Sequence, residues 1–70
     1  MSETIEVVVN GQLRRLARGT TLAQLLEQLG VPEGGTAVEL SGVVVPRSQH
    51  QATRLEQGQE LEVVRFVGGG

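Results

Sequence analysis

TTLAQLLEQLGVP, Thr20 to Pro32, carries leucine at positions 22, 25, 26 and 29. That spacing, i, i+3, i+4 and i+7, puts all four on one face of an α-helix. Gln24, Glu27 and Gln28 take the opposite face. Thr21 is a suitable N-cap, and Gln24 follows at the capping-box distance. Gly30 fits the left-handed residue that ends a helix, and Pro32 prevents continuation. The stretch predicts one amphipathic helix of about ten residues, with a leucine stripe that must be covered by something apolar.

The flanking segments supply the cover. Before the helix, Thr4-Ile5-Glu6-Val7-Val8-Val9 is rich in β-branched residues and runs into Asn10-Gly11, a strong signal for a type I′ hairpin. Gln12 to Ala17 is then the returning strand. Its alternation is imperfect at Leu13-Arg14-Arg15-Leu16, which predicts a bulge or frayed end. After the helix and the polar Glu33-Gly34-Gly35, Thr36 to Leu40 reads as a strand with Val38 and Leu40 on one side. Ser41-Gly42 reads as a turn, and Val43-Val44-Val45 as a short strand stopped by Pro46. Pro46 to Thr53 is polar loop with a helical turn, Leu55 is a candidate core plug, and Gln57-Gly58 turns the chain. Glu60-Leu61-Glu62-Val63 alternates, with Leu61 and Val63 inward and the two glutamates outward. The order strand, strand, helix, strand, short strand, strand predicts a two-layer α+β domain in which one main helix packs on a mixed sheet of four or five strands.

A chain of 70 residues has room for a single core, since folding at this size removes only about 60% of the unfolded surface. Hydrophobic residues make up 39% and charged residues 20% of it, a globular composition. No transmembrane run and no secretory signal are visible, so a cytoplasmic protein with no membrane partner is expected. The sequence contains no cysteine, which excludes disulfides, thiolate metal sites and a nucleophilic thiol. Its six basic residues are all arginine, dispersed and without interleaved aromatics, against a net charge of −2; nucleic acid is not an expected partner.

Little in the sequence suggests catalysis. His50 is the one histidine and, in a polar stretch, is expected at the solvated surface. Glu56, Glu60 and Glu62 read as a solvated face, no metal-ligand spacing is present, and no glycine-rich loop has the phosphate-binding pattern. Seven internal glycines fall at turns or caps, whereas Gly68, Gly69 and Gly70 follow a strand and have nothing to turn into. A tail without Cβ atoms is thin enough for a narrow channel, and the Gly70 carboxylate at its tip is unhindered. A carboxylate is a poor electrophile, and conversion to an acyl-adenylate would make it attackable; with no nucleotide site here, any such activation falls to a partner, the alternative being an ordinary floppy terminus.

Taken together, VVVNGQ, TTLAQLLEQLGV, GVVVPRSQH and LEQGQELEVVRFVGGG resemble the ThiS-type sulfur carrier proteins of thiamine biosynthesis, which have the ubiquitin-like β-grasp fold. The resemblance implies a β-grasp domain over residues 1–67 and a flexible glycine tail over 68–70. It implies that Gly70 is adenylated by an E1-like adenylyltransferase using ATP and magnesium, the chain itself binding no cofactor. The adenylate becomes a thiocarboxylate with sulfur from a cysteine desulfurase or another donor, and thiazole synthase accepts that sulfur. On this basis the chain is a protein co-substrate, monomeric when free, with Gly68, Gly69 and Gly70 entering partner active sites. Ser41-Gly42 departs from the family's common Asn-Gly, and His50 stands where tryptophan is frequent. On the final strand, Val64 and Phe66 point away from the core face and are candidate docking residues. A molybdopterin synthase small subunit, a ubiquitin-like modifier and a plain interaction domain share parts of this pattern.

Overall fold

A computed structural model describes residues 3–32 and 34–65. Its elements are β1 (Thr4–Val9), β2 (Gln12–Ala17), α1 (Leu22–Gln28), β3 (Thr36–Leu40), β4 (Val43–Val45), a 3-10 turn (Arg47–Gln49) and β5 (Glu60–Arg65). The five strands form one mixed sheet in the order β2-β1-β5-β3-β4. The β1–β5 pair is parallel and the other pairs are antiparallel. The last strand of the described residues therefore lies at the centre of the sheet.

α1 is shorter than its leucine spacing predicts because both ends are stopped. Thr21 and Gln24 form a full capping box, with Gln24 N–H donating to Thr21 Oγ1 at 3.2 Å and Thr21 N–H to Gln24 Oε1 at 2.9 Å. At the other end Gly30, φ 70°, allows Gly30 N–H to reach Glu27 C=O and Val31 N–H to reach Leu26 C=O, both at 3.0 Å. That is the Schellman closure, and it unwinds the helix at Leu29. Two further N–H groups of the first turn go to the loop after the 3-10 turn: Leu22 N–H to Thr53 C=O at 2.8 Å and Ala23 N–H to His50 C=O at 3.0 Å. The loop is thus tied to the helix by groups that a helix start leaves open.

Leu22, Leu25 and Leu26 lie buried against Ile5, Val7, Val9, Leu16, Val38 and Leu61 of the sheet, and Leu55 fills the core as its position suggests. Leu29 is half-buried at the margin. The hairpin differs from expectation: β1 and β2 pair without interruption from Thr4↔Ala17 to Val9↔Gln12, and no bulge interrupts them. The uneven pattern has a simpler cause. Leu13 and Leu16 are three apart and so face opposite sides; Leu16 sits opposite Ile5 in the core, and Leu13 sits opposite Val8 on the outer face, 65% exposed.

No helix among the described residues is long and apolar enough to cross a membrane.

Candidate functional site

β5 leads toward the C-terminal glycines. Its alternation is the one read from the sequence: Leu61 is buried and Val63 half-buried on the core side, while Glu60, Glu62 and Val64 are exposed. Val64, 46% exposed, sits opposite Ala37 on the outer face of the sheet. Phe66, Gly68, Gly69 and Gly70 lie outside the described residues, as does the boundary expected between residues 67 and 68.

Beside Val64 the outer face is acidic. Glu39 stands directly opposite Glu62 across β3 and β5, a placement of like charges that weakens a sheet. Glu39, Glu60 and Glu62 border one surface groove. On β1 and β2 the outer face carries Glu6 and Arg15, which meet at 3.5 Å; both are solvated, and such pairs contribute little to stability. Among the described residues no group of three or more His, Asp or Glu is placed to hold a metal ion.

β5 is also held at Val63, by a residue read from the sequence only as a turn former. Asn10 has φ 50° and Gly11 φ 82°, as a type I′ turn requires. The Asn10 carboxamide also reaches β5. Its Oδ1 accepts from Val63 N–H at 2.8 Å and its Nδ2 donates to Val63 C=O at 3.2 Å. The only sequence signal for this second role is the choice of Asn, which has a donor and an acceptor side by side.

His50 is a correction. It is 7% exposed, not solvated, and its Nε2–H donates to Val45 C=O at 3.0 Å. The ring ties the loop that caps α1 to the end of β4. The polar neighbours that suggested exposure, Arg47 to Gln49 and Gln51, point outward around it. A ring with an N–H at this position can serve as a buried donor, which is the property histidine shares with tryptophan. His50→Ala is expected to lower stability by about 1–3 kcal/mol, because the Val45 carbonyl loses its partner. His50→Gln, which keeps a donor, should recover part of this, and thermal melts of the two variants check it.

The comparisons with known proteins agree with this arrangement. The family model described as the ThiS family matches residues 7–70. The chain belongs to the ThiS family. The crystal structure of the thiamine biosynthesis protein ThiS from Geobacter metallireducens superposes with a TM-score of 0.79 at 32% identity, covering 94% of this chain and 100% of that one. The mixed sheet on one helix is therefore the β-grasp fold of ThiS proteins. The sulfur carrier protein ThiS of Escherichia coli K12 is 29% identical over 66 residues, 94% of this chain and 100% of that protein. A thiazole synthase of Paramagnetospirillum magneticum is 36% identical over 66 residues, again 94% of this chain. The chain spans only 20% of that synthase's length, and the same share of a second thiazole synthase, from Magnetococcus marinus.

Proposed function

We propose that this chain is the sulfur carrier of thiazole formation in thiamine biosynthesis, a cytoplasmic protein co-substrate whose reactive group is the Gly70 carboxylate. The observation that carries this reading is the similarity to sulfur carrier protein ThiS over that protein's whole length. The thiazole synthases support the choice of acceptor. In them a stretch similar to nearly this entire chain occurs within a much longer protein, an arrangement that keeps a carrier beside the enzyme that consumes its sulfur. This favours the thiazole branch over delivery to a pterin.

The chemistry follows from the carboxylate. An E1-like partner holding ATP and magnesium lets a Gly70 carboxylate oxygen attack the α-phosphorus, so that pyrophosphate leaves and an acyl-adenylate forms. A hydrosulfide equivalent from the sulfur donor then adds to the carbonyl carbon. The carbon–oxygen bond to AMP breaks, and a thiocarboxylate remains. Glycine suits the site because no Cβ crowds the attacked carbonyl, and Gly68 and Gly69 give the same thin profile behind it. Val64, exposed on β5, and Phe66, two residues further in the sequence, serve as docking side chains.

Intact-mass spectrometry tests the proposal. After incubation with the adenylating partner, ATP, magnesium and a sulfur source, one oxygen is expected to be replaced by sulfur, and only when ATP is present. An unchanged mass, with a partner shown to load another carrier, would rule out the sulfur-carrier role.

A further inference from the structure

β5 lies between β1 and β3, but its two neighbours accompany it for different distances. On the β3 side the ladder runs to Arg65, opposite Thr36. On the β1 side the register ends at Val9↔Leu61, where the chain turns away at Asn10-Gly11. Beyond that point β5 would become an edge strand on one side, with open N–H and C=O groups. The first groups concerned belong to Val63. Gln59 C=O accepts from Val8 N–H and Leu61 C=O from Asn10 N–H, each at 2.9 Å, and strand alternation aims the groups of Val63 the same way. The Asn10 carboxamide meets both of them. It acts as one further peptide unit of β1, supplied by a side chain after the backbone has left.

The turn does not require this. A type I′ turn takes Asn, Asp or Gly at its first central position. The β3–β4 turn has nearly the same backbone, with φ 50° at Ser41 and 85° at Gly42. There a serine suffices, and the contact with β5 is made by the backbone, Ser41 N–H to Glu60 C=O at 2.8 Å. Asn10 thus has a role separate from turning the chain, and it is exercised on the strand that leads to Gly70.

We propose that Asn10 is a positioning residue for the loading of Gly70. By holding the second side of β5 as far as Val63, it fixes the strand from which the segment bound for the partner's active site starts. This rests on the sulfur-carrier reading. From Val63 to Gly70 the chain spans at most about 25 Å, so the point at which β5 is held bounds the region its tip can reach. Productive attack tolerates little error, since a misplacement of about 1 Å can cost a hundredfold in rate.

The two turns provide a matched test. Asn10→Gly keeps the positive φ and removes the carboxamide; Ser41→Gly makes the equivalent change where the hydrogen bond to β5 is made by the backbone. Both are compared with the wild-type chain well below their melting midpoints, so that folded fractions are equal. Amide hydrogen exchange at Val63 is expected to quicken in Asn10→Gly alone. With the adenylating partner, kcat for ATP-dependent thiocarboxylate formation should fall about tenfold in Asn10→Gly, while KM stays within about twofold and Ser41→Gly matches the wild type. Asn10→Asp keeps the turn and the acceptor but sets an oxygen against the Val63 carbonyl, and should not restore kcat. Equal kcat for Asn10→Gly and Ser41→Gly would overturn the positioning role, and unchanged exchange at Val63 would overturn the clamp itself. Failure of the wild-type chain to load, with a partner active on another carrier, would instead remove the sulfur-carrier reading and the positioning role with it.

Discussion

Deletion of Gly70 is expected to lower ATP-dependent sulfur loading by at least about a hundredfold while leaving the melting midpoint where it is. The deletion leaves Gly69 as the terminal residue, so the shortened chain still ends in an unhindered glycine carboxylate of the same intrinsic reactivity. Only reach is lost, about 3.5 Å for one extended residue. Near-attack geometry requires reacting atoms about 3–3.5 Å apart, so a loss of that size takes the carboxylate out of range of a nucleotide held in the partner. Stability should not follow, because the core residues of the described chain end at Leu61, with Val63 packed at the margin. Intact-mass time courses on both forms, beside thermal melts, make the comparison. Loading of the deleted form at the wild-type rate would mean that the partner recognises any terminal glycine and that tail length carries no information.

What the sequence disclosed divides by the range of the interactions involved. α1 was legible because caps and leucine spacing are local: Thr21, Gln24 and Gly30 each do what their residue types favour. The parity of β5 was legible for the same reason, since Leu61 and Glu62 differ in polarity and neighbours in a strand face opposite ways. The position of β5 between β1 and β3 depends on pairings such as Val9↔Leu61 and Val38↔Val63, between residues far apart in the chain, and no local pattern encodes them. His50 was misread because its surroundings in sequence are polar, whereas its surroundings in space are set by the loop folding back over the start of α1. Asn10 was half read. Its turn role is local, and its bonds to Val63 span most of the chain.

Leu25→Ala is expected to destabilise the domain by about 2–5 kcal/mol. Leu25 is 1% exposed at the centre of the leucine stripe, so truncation removes buried apolar surface and leaves a void between α1 and the sheet. Helix propensity acts in the opposite direction, since alanine is the best helix former; any loss therefore reports packing. With total stabilities of about 5–15 kcal/mol for natural domains and small cores at the lower end, the expected loss is a large share of the whole. In a domain of this size each kcal/mol moves the midpoint by about 4–8 °C, so a fall of about 8 °C or more is expected. Leu13→Ala is the control. That leucine is 65% exposed on the outer face of β2, and its truncation should change stability by no more than about 0.5 kcal/mol. Equal midpoints for the two variants would contradict the packing of α1 on the sheet. A selective loss in Leu25→Ala would locate the stability of the domain in the leucine face of a seven-residue helix, against which the parallel β1–β5 pair, and with it the strand leading to Gly70, is held.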